Sequence, residues 1–187
     1  MVWNLYLAAI PALLALALFR RPRRTGAGWW LGFGAWLLFL PNAPYVLTDV
    51  VHMTADLRRS SSHEHTYAVL MTYGFFCAAG LASYVVSLQL FRVFLHRTIP
   101  GRAVLPVLLL VHGLCIVAMY VGRVVRLNSW DVLVAPRTVL ASVLRVPHPF
   151  TFVLLAVMFV VVGAGAYAMA AVGREALTQL RRLTHQK

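Results

Sequence analysis

Acidic side chains are scarce in this sequence, which has only five Asp and Glu residues among 187. Charged residues make up 12% of the chain, about half of the roughly 25% that is usual in a soluble domain. Hydrophobic residues make up 61%. This composition excludes an ordinary soluble domain and indicates an integral membrane protein. The length suits one helical bundle, so residues 1–187 are predicted to form a single membrane domain.

Cysteine is also rare, and familiar catalytic motifs are missing. Cys77 and Cys115 both lie inside apolar runs, so they indicate neither a disulfide framework nor a redox compartment. The sequence contains no Gly-x-Ser-x-Gly, His-Glu-x-x-His, P-loop or Cys-x-x-Cys motif. No cofactor is therefore predicted, and the sequence leaves open whether the protein is an enzyme.

Basic residues give the chain a net charge of +12. They cluster at the ends of apolar runs, where membrane topology and lipid headgroups account for them. The predicted partner is therefore the lipid bilayer, and a nucleic-acid partner is not predicted.

Long apolar runs predict an all-α membrane bundle of about five transmembrane helices plus one short interfacial or re-entrant helix. A span needs about 20 apolar residues. The spans are predicted at residues 1–19, 28–48, 66–95, 103–122 and 149–172. Residues 49–65 are predicted to form a loop, and the short helix is predicted within residues 130–144.

The distribution of basic residues predicts the orientation. With the N-terminus outside, 11 of the 17 Lys and Arg residues lie in inner segments and 6 in outer ones. Positive residues favour the cytoplasmic side, so the N-terminus is predicted outside and the C-terminus inside. In a five-span chain the second and fourth spans end on the same membrane face, which is then the outer face.

The first polar motif ends the second span and comprises residues 41–52, Pro-Asn-Ala-Pro-Tyr-Val-Leu-Thr-Asp-Val-Val-His. Proline removes a backbone donor and kinks a helix. Polar groups at membrane depth are costly and commonly functional. The motif predicts a break in the helix between Phe39 and Tyr45, with Asn42 bonded to a neighbouring span.

The second polar motif, residues 122–131, follows the fourth span. Arg123 and Arg126 lie about one helical turn apart, so they could clamp an anionic headgroup together or neutralise Asp49 and Asp131. We predict that at least one arginine contacts one of these carboxylates. The predicted ligand-binding residues of the two motifs are Asn42, Tyr45, Arg123, Arg126, Asn128 and Trp130.

Acid–base and metal chemistry are further alternatives at the first motif. Asp49, His52 and Asp56 stand at i, i+3 and i+7, so a continuing helix would align them as metal ligands or as an acid–base pair. The simpler interpretation is a solvated start of the loop, and no metal is predicted. The catalytic candidates are Asp49, His52 and Asp131.

A stripe on the fourth span carries His112, Cys115 and Met119. The trio resembles a set of soft copper ligands, although a Met and a Cys on a helix usually serve packing.

The first motif contains Pro41-Asn42-Ala43-Pro44-Tyr45, Thr48-Asp49 and His52. The second contains Gly122-Arg123, Arg126 and Asn128-Ser129-Trp130-Asp131. Together the two motifs resemble a bacterial membrane family called domain of unknown function 1361. The resemblance covers nearly the whole chain and implies a small multi-span protein of the bacterial inner membrane. It supplies no activity.

The leading functional hypothesis is a polar pocket open to the outer leaflet, which binds or transfers a lipid-linked or anionic small molecule. One alternative is a transporter or channel subunit, whose polar path would use Asn4, Ser83, Ser87, Gln89 and His112. Another is a non-catalytic assembly or stability factor, in which the motifs only lock helices together.

Overall fold

The computed structural model describes residues 2–20, 26–60, 62–122, 134–144 and 149–184. These residues form α-helices and contain no β-strand, which confirms the predicted all-α class. The helices are α1 (Val2–Phe19), α2 (Ala27–Phe39), α3 (Asn42–Tyr45), α4 (Val50–Arg58), α5 (His63–Thr98), α6 (Gly101–Tyr120), α7 (Pro136–Leu144) and α8 (Pro149–Thr184), with a 3-10 turn at Val46–Asp49.

Four helical stretches in the described part of the chain are long and apolar enough to cross a membrane. They are Ala27–Arg58, His63–Thr98, Gly101–Tyr120 and Val153–Glu175. Helix α1 is apolar but shorter, over Trp3–Phe19. Helices therefore cover all five predicted spans, while the number that crosses the membrane stays a prediction. Helix α7 lies in the segment predicted to be interfacial or re-entrant.

The second span is broken where the sequence predicts it. The N–H of Leu40 donates to the carbonyl of Trp36 at 2.9 Å, but Pro41 has no N–H with which to continue the ladder. Regular helix ends at Phe39 and resumes at Asn42. The short α3 and the 3-10 turn then carry the chain into α4.

The predicted loop at residues 49–65 is wrong for most of its length. Helix α4 occupies Val50–Arg58, and α5 begins at His63. Met53, Asp56 and Leu57 are half-buried, and their spacing of three and one puts them on one helical face. That face contacts α5. The polar and charged residues around this face, such as His52, Thr54, Arg58 and Arg59, obscured the periodicity.

Helix α5 is the centre of the bundle and contacts α1, α3, α4, α6 and α8. Its buried side includes Gly80, Tyr84, Ser87, Phe91 and Leu95, whose spacing of three or four residues follows one helical face. The bundle therefore assembles around this single long helix.

An aromatic cluster joins α1, α2 and α5 on the side of the bundle away from the first polar motif. The rings of Phe19 and Trp36 lie edge to face with centroids 5.0 Å apart, and Trp36 lies 4.9 Å from Phe91. Such pairs contribute about 0.5–1.5 kcal/mol beyond their buried area. The cluster fixes α2 against α1 and α5.

Two glycines bring helices close together. On α5 the close approach is at Gly80, where a Cβ would lie 2.5 Å from the carbonyl oxygen of Ala43, whereas Gly74 and Ala78 on the same helix are exposed. On α8, a Cβ on Gly163 would lie 3.4 Å from His112. Gly80 thus holds the broken segment directly against the backbone of α5.

Candidate functional site

The polar side chains of the first motif complete the hydrogen bonds of the broken helix. The N–H of Ala43 donates to the carbonyl of Leu40 at 3.2 Å. The side-chain amide of Asn42 donates to the carbonyl of Phe39 at 3.1 Å, a group that an unbroken helix would bond to residue 43. The hydroxyl of Thr48 donates to the carbonyl of Tyr45 at 2.6 Å. The predicted bond from Asn42 to a neighbouring span stays a prediction.

Asp49 is the buried carboxylate of the motif, with 5% of its surface exposed. Its Oδ2 accepts a hydrogen bond from the side-chain amide of Asn4 at 2.9 Å. Asn4 lies near the start of α1, so this bond ties the first helix to the end of the second span. Sequence reasoning named Asn4 only for a transport path. A polar side chain near the start of an apolar helix is a signal that marks Asn4 for a contact, but the sequence does not specify its partner.

The three residues proposed as metal ligands point in different directions. Asp49 is buried and His52 is exposed. Asp56 accepts a hydrogen bond from the hydroxyl of Tyr73 at 2.7 Å, which joins α4 to α5. Among the residues that the structure describes, no group of three His, Cys, Asp or Glu side chains could hold a metal ion. Asp49 and Asp56 instead make contacts between helices, with Asn4 on α1 and Tyr73 on α5.

His112 is the buried polar centre of the fourth span. Its Nε2 lies 3.1 Å from the carbonyl oxygen of Phe159, and its Nδ1 lies 2.6 Å from the hydroxyl of Tyr84. A carbonyl only accepts, so Nε2 carries the proton and donates, while Nδ1 accepts from the tyrosine. The neutral ring thus links α5, α6 and α8. With both nitrogens in hydrogen bonds, this arrangement does not suit the copper-ligand alternative, and Cys115 and Met119 are buried in the core.

Asn4, Ser83 and His112, three of the residues considered for a transport path, join helices. The hydroxyl of Ser83 donates to the carbonyl of Ala8 on α1. Ser87 is fully buried on α5, while Gln89 on the same helix is exposed. With Asn4 and His112 already in contacts between helices, these residues form no continuous polar line through the described part of the bundle.

An apolar groove of about 240 Å³ opens between α2 and α6. Its walls include Gly34, Leu37 and Pro41 on one side and Cys115 and Ala118 on the other. The first polar motif begins at Pro41, and the second begins one turn beyond Ala118. The groove therefore ends beside the start of the first motif and near the end of α6, which the second motif follows in the sequence. No pattern in the sequence predicted it.

The second motif falls largely outside the described residues. Arg123, Arg126, Asn128, Trp130 and Asp131 all lie in the segment 123–133, which the structure does not describe. Their predicted contacts with the first motif stay predictions.

Comparison with known proteins identifies the family. The family model described as "Protein of unknown function (DUF1361)" matches residues 3–164. The chain belongs to the DUF1361 family. The match runs from α1 into α8, so it includes both motifs and the groove, and it confirms the resemblance noted from the sequence. No curated protein and no solved structure matches the chain.

Proposed function

We propose that this DUF1361 protein binds a lipid or lipid-linked molecule with an anionic headgroup in the outer leaflet of the bacterial inner membrane. The observation that carries the proposal is the groove between α2 and α6. These are the two spans that end in the polar motifs. A hydrocarbon chain in the groove would bring its headgroup to the ends of both spans.

The walls of the groove suit a hydrocarbon chain. Gly34, Leu37, Val111, Leu114 and Ala118 are apolar, and the groove lies between two helices that are apolar enough to cross a membrane. Ligand sites are commonly apolar clefts that have a few polar groups at one end. Here the polar groups of the first motif begin at the end of the groove.

The charges of the second motif suit an anionic headgroup. Arg123 and Arg126 follow α6 in the sequence by less than two turns, and arginine binds phosphate through paired hydrogen bonds. Asn42, Tyr45, Asn128 and Trp130 are the polar residues proposed to surround it. The proposed function is binding of the lipid. Acid–base chemistry on the bound lipid by Asp49, His52 or Asp131 would be an additional activity.

The groove can be tested by filling it. A Cβ on Gly34 would meet nothing within 4 Å, so Gly34→Leu extends a side chain from an open position on the wall of the groove. Purified protein in detergent is titrated with phosphatidic acid and with phosphatidylcholine, and binding is followed by native mass spectrometry. We expect phosphatidic acid to bind about tenfold or more tightly than phosphatidylcholine, and Gly34→Leu to weaken its binding about tenfold.

Gly113→Leu is the matched control. A Cβ on Gly113 also meets nothing within 4 Å, and the residue lies on α6 outside the groove walls. Its binding of phosphatidic acid should match that of the unchanged protein. Equal binding by both leucine variants, or no preference for the anionic lipid, would favour the assembly-factor alternative.

The proposed orientation places the motifs on the outer face. It predicts that, in a background without the native cysteines, Ser61→Cys in whole cells reacts with a membrane-impermeant thiol reagent and Arg97→Cys does not. The reason is the excess of basic residues in the segments assigned to the cytoplasm. Labelling of Arg97→Cys alone would reverse the orientation.

A further inference from the structure

We infer that Cys115 is a nucleophile that takes an acyl group from an ester of a lipid in the groove, and that Tyr84 and His112 carry the thiol proton. This inference rests on the proposed function and adds a reaction to it. It is carried by three polar side chains in contact with one another, the last of which belongs to the wall of the groove.

Cys115 is part of the face that α6 presents to the groove. The four residues of α6 that line the groove stand at positions 111, 114, 115 and 118, so their spacing places them on one face of the helix. At about 100° per residue, Cys115 is at the edge of this face nearer to His112. Its side chain is 2% exposed and has one atom beyond Cβ. The thiol therefore lies between the groove and the surroundings of His112.

Tyr84 on α5 connects the thiol to the imidazole. Its hydroxyl contacts the thiol of Cys115 and lies 2.6 Å from Nδ1 of His112. A tyrosine hydroxyl can accept one hydrogen bond while it donates another. It can thus accept from the thiol and donate to Nδ1, which gives the thiol proton a path to the imidazole.

His112 is oriented to act as the base. Its Nε2 donates to the carbonyl of Phe159 at 3.1 Å, which leaves the lone pair of Nδ1 directed at the tyrosine. When Nδ1 takes a proton, the carbonyl still accepts from Nε2 and stabilises the imidazolium ion. A nucleophile, a base and a third group that orients the base form the arrangement of an activated nucleophile.

The position of Cys115 along the groove suits an acyl ester. Ala118, at the end of the groove near the end of α6, is three residues later, which is about 4.5 Å along the helix. The esters of a phospholipid join its hydrocarbon chains to its headgroup. A lipid with its headgroup at the polar motifs therefore has its esters near the level of the thiol.

The reaction transfers the acyl group without a change in oxidation state. The sulfur attacks the ester carbonyl while the thiol proton moves to the oxygen of Tyr84 and the tyrosine proton moves to Nδ1 of His112. The carbon–oxygen bond of the ester then breaks, and the proton returns through Tyr84 to the leaving alkoxide. The products are a thioester on Cys115 and a lipid with a free hydroxyl. In the reverse direction, a lipid hydroxyl takes the acyl group and restores the thiol.

The thioester can be detected directly. Purified full-length protein in an ester-free detergent is incubated with phosphatidic acid, and bound and covalent lipid are followed by mass spectrometry. We expect one acyl group on Cys115 that neutral hydroxylamine releases. The dialkyl ether analogue of phosphatidic acid should bind without forming an adduct.

Cys77 provides the matched control. It is the other cysteine of the chain, half-buried on α5 and outside the groove walls. Cys115→Ala should bind phosphatidic acid but form no thioester, whereas Cys77→Ala should form it as the unchanged protein does. An adduct that persists in Cys115→Ala would refute the assignment of the nucleophile.

Tyr84→Phe tests the proton path. It keeps the ring and removes the hydroxyl, so acylation by phosphatidic acid should slow by about a hundredfold, as for loss of general acid–base catalysis. A nitrophenyl fatty-acid ester has a leaving group that needs no proton, so its reaction should slow much less. Equal slowing with both donors would mean that Tyr84 only positions Cys115 and would refute the proton path.

The inference and the proposed function can fail separately. If phosphatidic acid binds but forms no thioester with the unchanged protein, Cys115 is not a nucleophile and the proposed binding stands. If phosphatidic acid does not bind, the proposed function fails and the acyl transfer fails with it.

Discussion

The second span is packed differently on its two sides. Toward α1 and α5 it is closed: Gly80 brings α5 against the carbonyl of Ala43, and Asn4 binds Asp49. Toward α6 it is open, and a groove of about 240 Å³ separates the helices. In the part of the chain that the structure describes, α1 and α5 hold the broken segment, and its other side borders the groove in which we propose that a ligand binds.

The hydrogen bonds of the break support this division. Asn42 and Thr48 satisfy carbonyls of their own segment, and α1 supplies the described bond to Asp49. These described bonds come from the broken segment itself and from α1. If the second motif contacts the first, that contact closes the groove at the end next to Pro41.

The largest expected effect concerns that closure. If Arg123 or Arg126 pairs with Asp49, Asp49→Asn should lower the free energy of unfolding by about 3–5 kcal/mol, because it leaves a buried charge without its partner. Changing the partner arginine to Gln as well should restore part of the loss. Unfolding in sodium dodecyl sulfate measures the cycle. Strictly additive losses for both arginines would exclude the pairing and leave both for the headgroup.

A smaller effect is expected at the closed side. Gly80→Ala places a Cβ 2.5 Å from the carbonyl oxygen of Ala43, and backbone atoms cannot move aside as a flexible side chain can. We expect a loss of about 1–3 kcal/mol, as for other overpacked positions, in the same unfolding measurement.

Gly74→Ala provides the control on the same helix. Its Cβ would meet nothing within 4 Å, and alanine favours a helix over glycine by up to about 1 kcal/mol. Its stability should be unchanged or higher. If Gly80→Ala is as stable as Gly74→Ala, the broken segment does not pack tightly enough against α5 to exclude a methyl group at position 80.

Local chemistry explains which features the sequence could predict. Apolar runs determine helices through hydrophobicity and length, and Pro41 removes a backbone donor just before the polar residues of the first motif, so the spans and the break were predictable. Helix α4 was missed because Arg58 and Arg59 and the polar residues before them suggested a solvated loop. Only the structure shows that the half-buried face of α4 packs against α5.

Contacts between distant segments were not predictable from one sequence. Nothing in the spacing of Asn4 or Asp49 specifies that α1 lies beside the break. The groove depends on how far α2 and α6 stand apart, which is set by their separate packing on α1, α5 and α8. Gly80 likewise resembles its neighbours Ala78 and Ala79 in size, and only the structure distinguishes it.

The smallest expected effect tests whether α1 holds the break through Asn4. Asn4→Ala removes the amide that donates to Asp49. Hydrogen bonds between membrane helices contribute about 0.6 kcal/mol on average and at most about 1.7, because the unfolded chain in the membrane also finds partners. A double-mutant cycle with Asp49→Ala should give a coupling energy in this range. The control cycle pairs Asn4→Ala with Asp56→Ala, since Asp56 bonds Tyr73 instead, and should give none. Equal coupling in both cycles would mean that Asn4 acts through the general packing of α1, and the closed side of the second span would then depend on Gly80 and the aromatic cluster.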